Sequence, residues 1–340
     1  MRNSAALKIA AVAVAAAAVL LFGITAVQVA KRRADAEAAS RAAAQQMRTI
    51  GSENDKITFQ GVTYERRKGP ETYLVLGVDR FSKDVAKSYG GGQADLLLLL
   101  VTDYVTDTYR IVPISRDTLT MVTVIDQYGN RQIGGTVFDQ ICISHAYGTG
   151  GEDSCENTVR SVEYLLPGAK VDGYIALAMD SIDVLIDAVG GVTLTIDKDL
   201  TGANPAFTEG ATVTLDAETA EQFVRARMSV DEDTNADRLR RQLTFMNAWA
   251  EKAKRLSSKQ ILNLLRQIEE ICVTDMTEKR LSSIADEVRK YENGGVLTID
   301  GEYVESQSYH DFHADEDSIM KIVLELYYTP VTHQDIGDTK

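Results

Sequence analysis

The segment 95–104, DLLLLLVTDY, decides the fold together with TYLVLGVD at 72–79 and YRIVPISRD at 109–117. The segments at 72–79 and 95–104 are nearly continuous apolar runs, without the alternation of apolar and polar residues that marks a half-exposed strand. Such runs are typical of strands that are buried on both faces of a sheet. A sheet of this kind needs helices on each side. The sequence therefore predicts a three-layer α/β/α domain with a mixed, largely buried central sheet.

The ends of these three strands carry polar side chains that are predicted to meet. Only residues 105–108 separate the second strand from the third, which predicts an antiparallel hairpin. If the first strand also pairs antiparallel with the second, four side chains lie at one edge of the sheet: Asp79, Asp95, Arg116 and Asp117. Carboxylates beside an arginine suit a hard cation next to a charged oxygen ligand. The alternative is that each residue only ends a strand or caps a turn.

Five arginines lie within residues 225–242, RARMSVDEDTNADRLRRQ, of a 340-residue chain with a formal net charge of −14. A guanidinium group holds phosphate through two-point contacts. Arg225 and Arg227 are predicted at the far end of one helix, and Arg238 and Gln242 lie four residues apart on one face of the next. This pattern indicates a phosphate-binding surface. The alternative is a solvated helix face paired with the neighbouring acidic residues.

The rest of the domain is predicted to alternate helices and strands. Asp216 is a candidate N-cap for the helix that carries Arg225. Gly90, Gly91 and Gly92 lack the spacing of a P-loop and indicate a flexible loop. Helices are predicted at 136–147, 154–166 and 181–188 and from the region after Arg255 to about 290, strands at 174–179, 192–196 and 296–299, and a last helix at 317–327.

Residues 9–30, IAAVAVAAAAVLLFGITAVQVA, are uncharged and long enough to cross a membrane as a helix. A cleaved signal peptide is the competing interpretation, but its apolar stretch is normally shorter and ends in small residues. Positive charges flank both ends of the segment, so the positive-inside rule leaves its orientation open. An alanine-rich stretch follows and suits a stalk or linker over residues 31–70.

Charge and cysteine content restrict the function further. The acidic balance argues against nucleic acid as a partner. Three cysteines are too few for a disulfide framework and lack metal-ligand spacing. Cys142 and Cys155 either pair outside the cell or are buried free thiols, and Cys272 is predicted in the core. One polar cluster is compatible with a metal site but is better explained as a polar loop before the last helix: His310, Asp311, His313 and Asp315.

Seven short motifs occur in the order found in the LytR-CpsA-Psr family, which the chain resembles over about residues 73–247. They are GVD at 77–79, AD at 94–95, ISRD at 114–117, SHAYGTGG at 144–151, DAVGGV at 187–192, RAR at 225–227 and DRLRRQ at 237–242. The resemblance implies a single-pass membrane phosphotransferase with an extracytoplasmic catalytic domain. Such a protein moves a glycopolymer from a polyprenyl-diphosphate carrier to peptidoglycan, with Mg²⁺ bridging the diphosphate.

The resemblance also implies roles for individual residues. Asp79 and Asp95 correspond to the magnesium-binding aspartates, and Asp95 or Asp117 is a candidate base. The residues that correspond to the diphosphate-binding set are Arg116, Arg225, Arg227, Arg238 and Gln242. Gln93 stands where the family usually has an arginine at the head group, and Asn235 stands where an aspartate is common. The implied layout is a cytoplasmic N-terminus at 1–8, the membrane anchor at 9–30, a catalytic domain at 71–330 and a tail at 331–340.

Two other functions fit the same residues. A hydrolase would cleave the polyprenyl diphosphate with water as the acceptor, and the same site would serve. A membrane-bound regulator or lipid-phosphate-binding protein would bind without catalysis, and Gln93 is the feature that best supports it. A lipid carrier also requires a long apolar cavity, which helices over an apolar sheet could provide.

Overall fold

The computed structural model describes residue 38 and residues 56–79, 91–125, 131–178, 181–226, 235–269, 271–305 and 310–331. The predicted membrane helix at 9–30 lies outside these ranges. Within them, no helix is both long and apolar enough to span a membrane. The strands are β1 Lys56–Phe59, β2 Val62–Arg66, β3 Pro70–Val78, β4 Ala94–Asp103, β5 Thr108–Ile114, β6 Leu119–Ile125, β7 Arg131–Gln140, β8 Gly173–Ala178, β9 Val192–Thr195, β10 Thr212–Leu215, β11 Cys272–Thr274, β12 Glu292–Val296, β13 Gly301–Glu305, β14 His310–Ala314 and β15 Tyr328–Pro330.

Helices fill most of the remaining described chain. They are α1 Ile143–Ala146, α2 Glu152–Leu165, α3 Ile182–Val189, α4 Ala217–Arg225, α5 Asn235–Ala253, α6 Ser258–Glu269, α7 Glu278–Lys290 and α8 Glu316–Tyr327. The Asp216 side chain accepts a hydrogen bond from Thr219 N, and the Thr219 hydroxyl accepts one from Asp216 N. This capping box confirms the predicted N-cap of α4. Asp315 caps α8 in a similar way, by accepting from Ser318 N.

A mixed six-stranded sheet is the centre of the α/β fold. Its strand order is β11-β8-β3-β4-β5-β12. The strands β3, β4 and β5 pair antiparallel, whereas β8 runs parallel to β3 and β12 runs parallel to β5. The predicted antiparallel arrangement of the three strands is confirmed. As a result, the end of β3, the start of β4 and the end of β5 lie at one edge of the sheet.

The two faces of the central sheet are buried to different degrees. One face carries Leu74, Leu76, Leu97 and Leu99, each at most 1 % exposed, and packs in one core with residues of α2 and α8. On the other face, Val75 of β3 pairs with Ile175 of β8 on one side and with Leu98 of β4 on the other. Leu100 of β4 pairs with Ile111 of β5 on the same face. Several of these side chains are only half-buried: Val75, Leu100, Ile111, Ile175 and Leu177.

A second apolar core lies among α3, α4, α5 and the β9–β10 hairpin. Phe207 and Phe223 pack edge to face at its centre, with ring centroids 5.8 Å apart. Trp249 of α5 donates to Leu185 O of α3 at 2.6 Å, which joins these two helices. This core holds α5 in place, and α5 carries several of the predicted phosphate-binding residues at its start.

Three predicted segments differ from the structure. Residues 136–147 were predicted as a helix, but 136–140 belong to β7, which pairs with β6, and only the short α1 is helical. The β-branched pair Thr136 and Val137 with Phe138 favours a strand once β6 is available as a partner. The predicted polar loop at 310–315 is mostly β14, paired antiparallel with β13. The predicted stalk at 31–70 contains β1 and β2, which join β15 in a small sheet, so the folded domain begins before residue 71.

Candidate active site

A β-bulge places Asp95 at the edge of the sheet. Leu96 pairs with Gly77 and Ala94 pairs with Val78, so Asp95 is an extra residue without a partner in β3. Ala94 thereby takes the position on the buried face, where it is completely buried. Bulges of this type redirect a side chain beside a functional site. The bulge keeps a carboxylate out of the apolar core and leaves it available at the strand ends.

Arg116 follows β5 and is the centre of the cluster. Its guanidinium forms an ion pair with Asp95, donates to Gln93 Oε1 and lies 3.7 Å from Asp117 Oδ1. A fourth contact is to Cys142 Sγ at 3.4 Å. The Arg116 side chain is only 16 % exposed, so these charged contacts are partly shielded from water. The structure thus brings together three of the residues at the predicted edge.

Helix α5 adds a second guanidinium to the same carboxylate. Arg238 lies in its first turn, 3.6 Å from Asp95 Oδ1, and its side chain is 13 % exposed. Neither arginine contact to Asp95 Oδ1 has hydrogen-bond geometry, so that oxygen has no hydrogen-bond partner within the described residues. Gln242, one turn after Arg238, is 3 % exposed, and its Oε1 likewise has no hydrogen-bond partner within that part of the chain. Two guanidinium groups therefore lie against one largely shielded carboxylate, and a buried amide follows one turn later on α5.

Asp117 is the carboxylate that links Arg116 to the start of α5. It is 3 % exposed, and Asn235, the first residue of α5, donates to its Oδ2 at 2.6 Å. Burial raises the pKa of Asp117, and the Asn235 hydrogen bond and the charges of Arg116 and Arg238 lower it in part. A carboxyl group with a raised pKa is a better proton acceptor when ionised than an ordinary one. Asn235 was not among the predicted site residues, and the sequence signal for it was that it stands where the family commonly has an aspartate.

The segment that leads from β7 into α1 is hydrogen-bonded to the backbone of Arg116. Cys142 N donates to Arg116 O at 3.1 Å, and Ala94 N donates to Cys142 O at 3.1 Å. Gln140 donates to His310 O and to Asp311 Oδ1, both at 3.1 Å. Cys142 therefore links the start of β4 to the loop after β5. Its role was not predicted, because a buried cysteine has no motif that marks such a contact.

The cysteines are free thiols. Cys142 and Cys155 are completely buried, which agrees with the second of the two alternatives, and Cys272 is half-buried on β11. His145 Nδ1 lies 3.0 Å from Gly92 O and its Nε2 lies 3.9 Å from Cys155 Sγ. Burial lowers the pKa of His145, so the ring is neutral at physiological pH. Gly91 and Gly92 are thus attached to the domain, and Gly90 lies outside the described residues.

Other predicted site residues occupy different positions. Asp79 is exposed, and its backbone N donates to Gln93 O at 3.2 Å, so it borders the cluster. Arg225 ends α4 and forms an exposed ion pair with Glu221 at 3.1 Å. Arg227 lies outside the described residues. The assignment of Arg225 and Arg227 to a diphosphate stays a prediction.

The carboxylates at the strand ends match the ligand preferences of Mg²⁺. Asp79 and Asp95 supply hard carboxylate oxygens at the same strand ends, and Asp95 Oδ1 is a buried oxygen without a hydrogen bond in the described chain. Magnesium is commonly held by one or two carboxylates together with substrate phosphates. No cluster of three or more potential metal ligands occurs among the described residues. The two aspartates therefore fit an ion whose remaining ligands come from a phosphate substrate and water.

Comparisons with known proteins identify the family. The model of the LytR_cpsA_psr family matches residues 29–326. The chain belongs to this family. The match extends beyond the stretch 73–247 that carried the resemblance, and it includes the residues of the cluster around Arg116.

Two similar curated proteins bear the name polyisoprenyl-teichoic acid–peptidoglycan teichoic acid transferase TagU. The relative from Bacillus mycoides is 29 % identical over 215 residues, which are 62 % of this chain and 62 % of the relative. The relative from Bacillus subtilis strain 168 is 27 % identical over 271 residues, 76 % of this chain and 78 % of the relative. The match thus spans less than two thirds of the first relative and about three quarters of the second.

Solved structures share the fold. The Lin1025 protein of Listeria innocua is 28 % identical, with a TM-score of 0.52, and the match covers 76 % of this chain and 97 % of that one. Bacillus subtilis TagT is 20 % identical, with a TM-score of 0.57 and coverage of 76 % and 90 %. Bacillus subtilis TagU is 23 % identical, with a TM-score of 0.51 and coverage of 76 % and 96 %. The likeness to TagT and TagU supports the mixed α/β fold.

Proposed function

We propose that this protein is a membrane-anchored phosphotransferase that moves a glycopolymer from a polyprenyl-diphosphate carrier to peptidoglycan, assisted by Mg²⁺. The observation that carries the proposal is the contact of Arg116 and Arg238 with one shielded carboxylate, Asp95. Phosphoryl transfer asks the protein mainly for positioning and for neutralisation of charge, which such a cluster supplies. The name of the curated relatives is consistent with this reaction.

The diphosphate would be held by the two guanidinium groups. Both guanidinium groups already lie at Asp95, and a phosphate group can replace the carboxylate as their partner because both anions accept two-point charge-assisted hydrogen bonds. Gln242 supplies an amide in the same first turns of α5. Arg225 and Arg227 are proposed to extend this surface toward the second phosphate. Asp79 and Asp95 would hold Mg²⁺, which would neutralise the developing charge on the diphosphate.

Asp117 is proposed as the general base. It would accept the proton of the acceptor hydroxyl as the acceptor oxygen bonds to the sugar-linked phosphorus. The bond from that phosphorus to the bridging oxygen would break, and polyprenyl phosphate would leave. The buried carboxylate with a raised pKa supports this assignment over Asp95, whose charge is engaged by two arginines.

The half-buried face of the central sheet is proposed to receive the lipid. Val75, Leu100 and Ile175 present apolar surface that the helices leave partly open, on the sheet that ends at the cluster. Helices on both faces of the sheet would complete three layers. The apolar segment 9–30 would anchor the protein as a single span, with residues 1–8 in the cytoplasm, the catalytic domain outside, and 331–340 as a tail.

The reaction can be tested with the full chain in detergent or vesicles. A polyprenyl-diphosphate-linked glycopolymer, Mg²⁺ and peptidoglycan are combined, and the products are separated by mass. Attachment of the polymer to peptidoglycan with release of polyprenyl phosphate is the expected result. Release of free polymer without attachment would indicate the hydrolase, and stable binding without turnover would indicate a lipid-phosphate-binding protein.

Asn235→Ala is expected to move the acid limb of the pH–rate profile to higher pH. Asp117 acts as a base only when ionised, so activity falls as the pH drops through its raised pKa. The Asn235 hydrogen bond stabilises the ionised form, and its loss raises that pKa further. The profile of kcat/KM against pH measures this shift. Asn204→Ala, which removes a 2.7 Å hydrogen bond to Gln222, is the control. An unshifted limb in Asn235→Ala would contradict the role of Asp117.

Gln93→Arg is expected to raise the affinity for a polyprenyl diphosphate and to steepen its dependence on salt. Gln93 accepts from Arg116, so an arginine at this position adds a further cation beside the proposed diphosphate. Turnover need not rise, because tighter ground-state binding accelerates a reaction only when the transition state gains more. Titrations at low and high salt measure both quantities. Unchanged affinity at low salt would show that residue 93 does not face the phosphates.

A further inference from the structure

The hairpin of β13 and β14 lies beside the cluster and presents an exposed aromatic ring to it. Tyr303 on β13 is 36 % exposed. Its hydroxyl lies 2.9 Å from Ser115 Oγ, and Ser115 directly precedes Arg116. A tyrosine that only filled space in the hairpin would not need this contact. The ring is therefore located at the rim of the proposed diphosphate site.

The position of the ring is fixed by a second attachment. Tyr303 and Phe312 are cross-strand partners, and their ring centroids lie 4.9 Å apart at an interplanar angle of 54°. Phe312 N donates to Asp117 O at 2.9 Å, and a bridge joins Phe312 to Thr118. The hairpin is thus bonded to the same loop that carries Arg116 and Asp117. Little conformational freedom remains to be lost when a ligand packs on Tyr303.

The charges of the cluster reach the Tyr303 hydroxyl. Partial burial raises the pKa of Tyr303, the Ser115 hydrogen bond lowers it, Asp117 raises it and Arg238 lowers it. The hydroxyl is therefore within electrostatic range of both the proposed base and the proposed phosphate clamp. A group bound next to the phosphates would lie close to this ring.

We propose that Tyr303 forms a subsite for the sugar ring directly attached to the diphosphate. A pyranose has an apolar face of C–H groups and a rim of hydroxyl groups, which matches an aromatic face with a polar tip. The ring would pack against the C–H face, and the Tyr303 and Ser115 hydroxyls would bond to a sugar hydroxyl. This subsite rests on the proposed function, because it assumes that a diphosphate lies at Arg116 and Arg238.

Two ligands separate the sugar subsite from the phosphate clamp. One is a short-chain polyprenyl diphosphate that carries a single pyranose, and the other is the same polyprenyl diphosphate without a sugar. Affinities of the full chain for both are measured by calorimetry in the presence of Mg²⁺. Tyr303→Ala is expected to weaken binding of the sugar-bearing ligand roughly 2- to 12-fold, the range of aromatic packing contacts. Binding of the sugar-free ligand is expected to remain unchanged.

Further variants separate stacking from structural effects. Tyr303→Phe should keep most of the affinity for the sugar-bearing ligand, because the ring remains. Tyr303→Leu should lose it while still packing on Phe312. Tyr104→Ala, at a tyrosine that is 58 % exposed in the β4–β5 turn, is the control and should change neither affinity. Thermal unfolding of each variant verifies that the domain is intact.

Each of the other possible results contradicts the proposed sugar subsite for a different reason. Equal weakening of both ligands by Tyr303→Ala would show that the residue supports only the phosphate clamp. No change for either ligand would show that the ring only covers Phe312. If the unaltered protein binds neither lipid, the proposed function itself fails, which the sugar-free ligand reveals independently of Tyr303.

Discussion

Replacing Arg116 with alanine is expected to slow glycopolymer transfer strongly while leaving the domain folded. Among the residues that the structure describes, the polar partners of the Arg116 side chain all belong to the cluster, namely Gln93, Asp95, Asp117 and Cys142. Loss of one charge-assisted phosphate contact in a shielded site costs about 2 to 4 kcal/mol of transition-state stabilisation. That corresponds to a decrease in turnover of roughly 30- to 1,000-fold. Single-turnover transfer, with thermal unfolding of the same preparation, measures both effects.

Two matched variants define what the Arg116 result means. Arg116→Lys keeps the charge but not the planar fork of donors, so an intermediate loss of turnover is expected. Arg160→Ala removes an arginine of α2 that forms a surface ion pair with Glu156, and it should leave transfer unchanged. Turnover close to that of the unaltered protein in a folded Arg116→Ala variant would remove Arg116 from the site.

Asp95→Asn is expected to raise the Mg²⁺ concentration needed for half-maximal transfer at least roughly tenfold. Loss of a residue that only supports the ligands of a metal already lowers metal affinity by that factor. A neutral amide is a poor ligand for a hard dication, and it also leaves Arg116 and Arg238 without their shared counter-charge. Titration of the initial rate with Mg²⁺ measures the change. Asp183→Asn, at an exposed residue in the first turn of α3, is the control.

The pair of aspartates gives a second measurement of the same site. Asp79→Asn should also weaken the Mg²⁺ dependence. The loss of Mg²⁺-binding free energy in the double variant should be smaller than the sum of the losses in the two single variants, because both residues would share one ion. A metal titration that is the same in the double variant and in the unaltered protein would leave no role for these residues in metal binding.

The central part of the fold was predictable because apolar runs fix buried strands. The unbroken leucines of β4 lack the alternation of a half-exposed strand, and the short β4–β5 connection favours an antiparallel pair. The strand β7 was not predictable in the same way. Gly134, Gly135 and the mixed polarity of the segment give no clear period, and its strand conformation depends on pairing with β6, the preceding strand.

The candidate site was predictable only where strand ends imposed proximity. Asp95, Arg116 and Asp117 were placed together from strand directions, and Arg238 followed from its motif. Asn235 was noted only as a departure from the family pattern, and its bond to Asp117 depends on how α5 approaches the sheet. Cys142 belongs to a segment that was predicted as a helix, so its contact with Arg116 could not be inferred.

The single unpaired residue in β4 also suggests how such a site can arise and disappear. Removing Asp95 altogether would leave Ala94 next to Leu96, and an uninterrupted ladder with β3 could form without placing a charge in the core. The shortened protein is therefore expected to fold at least as well as the original and to be inert. Deletion of a single codon would then remove activity from this fold without unfolding it. An inactive descendant could persist as a stable protein and acquire another use.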